Sequence, residues 1–226
     1  MKISRKQSGF TLIEIAIVLV IIGLLLGGVL KGQELINSAK VKNFATDFKS
    51  VPLFIYGYQD KYKALPGDDP NYATHLAGAI TASGNAALAP TAGTLGNGTL
   101  NGVYNSVTNT DETVAFWQQV RLSGLAAGTT DFTTSVAAAM PQNADGGRIG
   151  IQSVTPITGM TGSYFVCSEG IQGKFAKQLD TTMDDGNTAA GSMRVATAVQ
   201  PWTAALTAVA TAAIVDGTTY VVCLSL

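Results

Sequence analysis

The hydrophobic pattern sets one long apolar segment apart from a more varied remainder. Residues 10–30 read FTLIEIAIVLVIIGLLLGGVL, and Glu14 is the only charged residue among them. At about 1.5 Å per residue, a helix of this length is roughly 30 Å long, which matches the hydrocarbon core of a bilayer. Lys2, Arg5 and Lys6 precede the segment. The pattern therefore predicts a membrane helix with a cytoplasmic N-terminus and an exported remainder.

The helical period continues beyond the apolar segment. Apolar and aromatic side chains recur at intervals of three and four residues, at Phe44, Phe48, Val51, Ile55, Tyr58 and Tyr62. This spacing is typical of one helix face and predicts an amphipathic continuation over residues 31–64 that docks against a sheet. Pro52 lies within the pattern and is expected to kink or loosen the helix. The helix is expected to end at Ala64-Leu65-Pro66-Gly67.

The remaining residues, 65–226, are predicted to form a head with antiparallel strands. Residues 66–110 are rich in Gly, Ala, Thr, Asn and Pro, which predicts a long surface loop. Helices are expected over residues 114–122 and 171–183. β-branched and aromatic residues bounded by turn residues predict strands over residues 148–152, 162–167 and 218–224.

The charge distribution limits the classes of function. Only 13% of the residues are charged, whereas an ordinary globular protein has about a quarter. Residues 65–226 carry five basic and eleven acidic side chains. An acidic head argues against a sequence-independent nucleic-acid binder, because such proteins rely on many Lys and Arg contacts to phosphate. No nucleic-acid partner is therefore indicated.

Glu14 distinguishes the apolar segment from a plain membrane anchor. A carboxylate within an apolar membrane helix costs on the order of 2–3 kcal/mol or more unless it is paired, so its presence suggests a function. A secretory signal peptide would have a shorter apolar core, followed by a small-residue cleavage site. This segment is too long for a signal peptide and has no such site after it.

The residues around Glu14 resemble a known processing signal. Gly9-Phe10-Thr11-Leu12-Ile13-Glu14 follows a short basic leader and opens an unbroken apolar run. This arrangement resembles the class III signal of type IV pilins and type II secretion pseudopilins. The resemblance implies that a prepilin peptidase cuts between Gly9 and Phe10, removes residues 1–9 and methylates the new amino group of Phe10. It also implies that Glu14 helps an incoming subunit to align with a neighbour's Phe10 amine during filament assembly.

The same resemblance implies a fold and a function. The implied fold is the α+β pilin fold, in which a long N-terminal helical spine packs on an antiparallel-sheet head. The implied function is a structural subunit of a type IV pilus-like filament for adhesion, motility or uptake. Such a subunit is stored among the lipids of the bacterial inner membrane. An inner-membrane assembly platform then builds it, together with copies of itself or other pilins, into an extracellular or periplasmic filament. Two alternatives remain: a pseudopilin of a type II secretion system, and a low-copy minor pilin that acts as a tip binding module.

The two cysteines, Cys167 and Cys223, each lie in an apolar predicted strand. A disulfide bond is expected if the head lies outside the cytoplasm, and two buried free thiols are the alternative. In type IV pilins a C-terminal disulfide commonly bounds a variable surface region, and these two positions are compatible with that arrangement. Two cysteines and the single histidine, His75, do not complete a four-ligand zinc site.

Other chemistry is not predicted from the sequence. Asp180, Asp184 and Asp185 offer oxygen ligands for calcium, but they lack the alternating ligand positions and the closing glutamate of a twelve-residue calcium loop. A helix-terminating turn is therefore favoured there, and Asp68 and Asp69 are likewise assigned no ligand. His75 has no evident nucleophile partner and is interpreted as a loop residue. Since neither a phosphate-binding loop nor a hydrolase elbow is recognisable, we expect no catalytic residue, no metal and no cofactor.

Overall fold

A long helix and an antiparallel sheet make up the main elements of the chain. The structure, a computed structural model, describes residues 11–199 and 202–226. Helix α1 spans Leu12–Tyr62. The chain divides into two compact units after Lys40, and the second unit, Val41–Leu226, contains all other helices and strands of the described residues. The long apolar helix followed by an antiparallel sheet confirms the predicted α+β class.

Within the second unit, α1 buries one face. The buried side chains are spaced three or four residues apart, as the sequence pattern predicts, and they are Val41, Phe44, Ala45, Phe48, Val51, Ile55 and Tyr58. Pro52 lies inside the helix and does not end it. The helix ends at Tyr62, and Lys63 then adopts a left-handed conformation with a φ of 55°, which is a common way for a helix to terminate.

Four antiparallel strands form the sheet of the head. They are β1 (Ile149–Gln152), β2 (Phe165–Gln172), β3 (Met193–Ala196) and β4 (Thr219–Ser225), in the spatial order β1-β2-β4-β3. The strand predicted over residues 162–167 begins later and continues further than expected. A β-bulge lies between Ser168 and Ile171, so the strand resumes where the sequence suggested a helix, and Ile171 pairs with Tyr220.

The shorter helices lie in the segments before and between the strands. They are α2 (Tyr72–His75), α3 (Ala77–Ser83), α4 (Glu112–Leu122), α5 (Val136–Ala139) and α6 (Gly173–Met183), with one 3₁₀ turn at Thr211–Ala213. Helices α2 and α3 correct the prediction of a long surface loop over residues 66–110. Alanine has the highest helix propensity, and three of the seven residues of α3 are alanines. Helix α4 matches the predicted helix over residues 114–122 but begins two residues earlier.

The two faces of the sheet contribute to two different hydrophobic clusters. Because side chains alternate along a strand, Val166 and Val222 face the cluster that includes Phe44 and Phe48 of α1. The opposite face carries the two cysteines together with Phe165 and Val221, and it is covered by side chains from the connecting segments, namely Tyr104, Ile157, Met160 and Trp202. Both faces of the central strands are therefore buried.

Candidate processing and assembly site

The first turn of α1 holds the glutamate that the sequence analysis singled out. Gly9 and Phe10, the predicted cleavage and methylation positions, lie outside the described residues, whereas Thr11 and Glu14 are described. The backbone N–H and the hydroxyl of Thr11 each donate a hydrogen bond to Glu14 Oε2 at 2.8 Å. In return, the backbone N–H of Glu14 donates to Thr11 Oγ1 at 3.3 Å. Thr11 and Glu14 thus form a reciprocal capping box.

The capping box directs the Glu14 carboxylate towards the start of the helix. Its Oε2 atom accepts both hydrogen bonds from Thr11, and among the described residues no donor is bonded to Oε1. The residue that precedes Thr11 in the chain is Phe10, whose amino group cleavage would expose. One carboxylate oxygen therefore closes the helix, and the other can accept a hydrogen bond from an amino group.

The segment that follows has the properties of a membrane-spanning helix. Within α1 the most apolar stretch has a mean hydropathy of 2.8, and by length and composition the helix can cross a membrane. Every residue from 12 to 30 is exposed. Gly23, Gly27 and Gly28 have open space where a side chain would begin, and small residues of this kind permit close approach of other helices. An apolar surface of this extent requires lipid or neighbouring helices to cover it.

The disulfide bond joins Cys167 and Cys223 on the two central strands. These residues are directly opposite each other in the pairing of β2 and β4, with their Cα atoms 4.1 Å apart, and both are fully buried. The alternative of two buried free thiols does not apply in this structure, because neither cysteine is free.

Two buried carboxylates that the sequence analysis assigned no ligand hold a loop in place. Asp68 accepts hydrogen bonds from the backbone N–H groups of Gly96 and Gly98, at 2.5 and 2.7 Å. Asp69 Oδ2 accepts from the Tyr58 hydroxyl of α1 at 2.8 Å and lies 2.7 Å from His75 Nδ1. His75 is the last residue of α2, which corrects its interpretation as a loop residue. These partners attach the segment after α1 to the rest of the head.

A cavity of about 520 Å³ opens beside this network and is lined by Tyr62, Asp69, His75 and Tyr164, among others. The carboxylates that line it, Asp68 and Asp69, already accept hydrogen bonds from groups of the head. Their role is therefore to stabilise the loops around the cavity, as buried carboxylates usually do when their partners are within the protein.

Asp47 is a half-buried carboxylate on α1, and its burial makes the stability of the head depend on pH. Burial raises the pKa of Asp47 to about 6, above its ordinary value of 3.8. The folded head therefore binds a proton more tightly than the unfolded chain, and its free energy of unfolding decreases as the pH rises from about 4 through 6.

We expect Asp47→Asn to stabilise the head at pH 8 and to have no such effect at pH 4, where the carboxylate is protonated in the folded state. The gain should be about 1 kcal/mol or less, because Asp47 is half exposed and solvent screens its charge. Urea denaturation followed by tryptophan fluorescence measures it. Asp60→Asn, at a side chain that is 92% exposed, is the control. An equal gain at both pH values would contradict the role of burial.

Comparison with known proteins supports the importance of the N-terminal segment. A family model described as the prokaryotic N-terminal methylation motif matches residues 4–30. Neither a curated protein nor a solved structure matches the chain significantly. The matched range contains Gly9, Phe10 and Glu14, and it ends within the apolar stretch of α1.

This match identifies the class III signal of type IV pilins and pseudopilins. Together with the α+β fold, it supports a type IV pilin-like or pseudopilin-like protein. The motif indicates a structural protein and implies processing by a prepilin peptidase and assembly into a filament with other pilins. The signal and the apolar helix also fit a membrane-anchored precursor.

Proposed function

We propose that the chain is a structural subunit of a type IV pilus-like surface filament, which serves adhesion, motility or uptake. The observation that carries this proposal is the methylation motif at residues 4–30, which runs directly into an exposed apolar helix whose first turn contains Glu14. A pilin needs these parts in this order, because the same segment is first a processing signal, then a membrane anchor and finally the filament core.

Processing begins at the cytoplasmic face of the membrane. The basic residues Lys2, Arg5 and Lys6 keep the leader in the cytoplasm, so the bond between Gly9 and Phe10 lies at the membrane surface. Gly9 has no side chain to obstruct the catalytic groups of the prepilin peptidase. Cleavage removes residues 1–9, and methylation then modifies the amino group of Phe10.

Assembly uses the charge that processing creates. The new amino group of Phe10 is positive and the Glu14 carboxylate is negative, so the amine of one subunit can pair with the carboxylate of its neighbour. In a low-dielectric environment this attraction is large, although desolvation of both groups offsets much of it. The pair therefore contributes mainly to the alignment of subunits, while the apolar faces of residues 12–30 supply the contact area. The inner-membrane assembly platform then extracts the subunit from the bilayer.

The processing step is tested by Gly9→Val. We expect this variant to accumulate as uncleaved precursor with an intact leader, because the branched side chain obstructs the peptidase at the scissile bond. The matched control is Gly32→Val, the same substitution at a helix position where a Cβ meets no atom within 4 Å. Mass spectrometry of the membrane fraction measures the N-terminus of each variant. Normal cleavage of Gly9→Val would contradict the assigned processing position.

A further inference from the structure

The cavity beside Asp68 and Asp69 is large enough for a small organic ligand. Its volume is about 520 Å³, which lies within the range of about 300–1,000 Å³ that is typical of ligand pockets. The residues that line it come from the end of α1, from the segment 63–98 and from Tyr164. In the chain, these residues are separate from the processing signal and from residues 167–223, which the disulfide bond encloses.

Internal contacts of the head hold the walls of this cavity in place. Asp68 accepts hydrogen bonds from the backbone N–H groups of the loop 96–98. Asp69 Oδ2 lies 2.7 Å from Nδ1 of His75, and the ring of His75 is stacked on that of Tyr62, with the ring centroids 5.2 Å apart. Because the walls are already ordered, a ligand that enters the cavity has little ordering cost to overcome.

Several polar groups of the lining residues are available to a ligand. The groups that form no hydrogen bond within the part of the chain that the structure describes are the Tyr62 hydroxyl, Nε2 of His75 and the side-chain amides of Gln59 and Asn71. All four residues are exposed or half-buried, so a ligand can reach them. An amide both donates and accepts hydrogen bonds, and a hydroxyl does the same. The cavity therefore suits a neutral ligand that carries both donors and acceptors.

Tyr164 adds an aromatic surface to the lining. Its hydroxyl donates a hydrogen bond to the carbonyl oxygen of Gly98 at 2.9 Å, which fixes the position of the ring. No aromatic ring or cationic side chain of the described residues is stacked on it. An aromatic ring offers an apolar face to a ligand. A sugar ring is complementary to it, because its C–H groups form an apolar face while its hydroxyl groups surround the edge.

The charges around the cavity disfavour an ionic ligand. Lys63 is the one Lys or Arg among the described residues that line it, and Lys63 is paired with Asp60 at 3.4 Å. Asp68 and Asp69 add negative charge, which repels an anion. Both are almost fully buried, and each of their carboxylate oxygens already accepts a hydrogen bond from the head. Neither therefore offers a free oxygen to a cation.

We propose that this cavity binds a neutral sugar residue of a glycan. The sugar ring packs against Tyr164, and its hydroxyl groups form hydrogen bonds with the amides of Gln59 and Asn71. Since the lining is partly exposed, the bound sugar stays partly hydrated, and a Kd of about 1 mM is expected for a single chain. Many copies in a filament would add avidity, but binding by one chain does not depend on the filament function proposed above.

The first experiment applies the full chain to an array of immobilised glycans, some neutral and others sialylated or sulfated, and detects bound protein with an antibody. The detergent that keeps the chain in solution must have no sugar head group, because such a group would compete for the cavity. We expect binding to at least one neutral glycan. Binding to none of the glycans, or to the anionic glycans alone, would overturn the proposal.

Variants locate the site, and saturation-transfer NMR with a soluble form of the bound glycan measures their Kd. The double variant Gln59→Ala/Asn71→Ala should raise the Kd about tenfold, because two hydrogen bonds are lost. The matched control, Asn109→Ala/Gln178→Ala, removes the same two amides at exposed positions outside the cavity and should bind like the wild type. Tyr164→Leu, which keeps apolar bulk but removes the aromatic face, should also bind weakly. Wild-type affinity in the Gln59→Ala/Asn71→Ala variant would overturn the assignment.

Discussion

Glu14→Ala should be cleaved and retained in the membrane, but its incorporation into filaments should fall by more than about tenfold. Removal of one partner from a buried ion pair costs about 3–5 kcal/mol, because the other charge remains unpaired, and each 1.4 kcal/mol corresponds to a factor of ten. Immunoblots of sheared filaments and of membranes measure this ratio. The cleavage step should be unaffected, so the variant should begin at Phe10.

Glu14→Gln separates the capping of α1 by Glu14, which the structure shows, from the role of Glu14 in subunit alignment, which is proposed above. The capping box between Thr11 and Glu14 accepts glutamine as well as glutamate, because the amide oxygen can receive the same hydrogen bonds. The negative charge, however, is lost. If the charge pair aligns the subunits, Glu14→Gln should be as defective as Glu14→Ala. Normal assembly of Glu14→Gln would show that Glu14 acts only as a helix cap.

The second large effect is expected from removal of the disulfide. Replacement of both Cys167 and Cys223 by alanine should lower the free energy of unfolding of the head by about 4 kcal/mol. The two residues are 56 positions apart in the chain, and in the chain-entropy picture a cross-link that closes a loop of this length restricts the unfolded state by about this amount. Urea denaturation followed by tryptophan fluorescence measures the loss.

The matched comparison is the wild-type protein after reduction, which should unfold at nearly the same urea concentration as the double alanine variant. Both cysteines are fully buried between the sheet and its covering segments, so reduction requires prior unfolding. A loss below about 1 kcal/mol would contradict the prediction and would show that packing alone holds the central strands together.

The helical part of the fold was predictable because its signals are local. Apolar residues at intervals of three and four identify the buried face of α1 from Phe44 to Tyr58, and this pattern needs no knowledge of the partners that cover it. The processing motif is equally local, since Gly9, Phe10 and Glu14 lie within six residues.

The sheet was less predictable because its pairing depends on distant residues. Strand β3 is only four residues long, and β4 is the one strand of the described residues with which it pairs, apart from a single bridge between Ala196 and Ala208. Its sequence therefore carries little periodicity. The polar Ser168-Glu169-Gly170 segment resembles the end of a strand, but it forms a bulge within β2. Pairing with Thr219–Tyr220 of β4 continues the strand beyond this point, and this contact is not visible in the local sequence.

The acidic residues of the head show the same limit. Asp68 and Asp180 have similar sequence surroundings, each close to further aspartates and a glycine. In the structure, Asp68 is bonded to backbone N–H groups about thirty residues away, whereas Asp180 has no bonded partner in the described chain. Only the tertiary arrangement distinguishes these two carboxylates.

The most direct test of the filament proposal is mass spectrometry of material sheared from the producing cells, compared with the membrane fraction. We expect abundant sheared protein that begins at N-methylated Phe10 and is two hydrogens lighter than its reduced form, because the disulfide is closed. Processed protein found almost wholly in the membrane fraction would instead favour a pseudopilin or a minor pilin. An intact Met1 terminus in the sheared protein would contradict the proposed cleavage between Gly9 and Phe10.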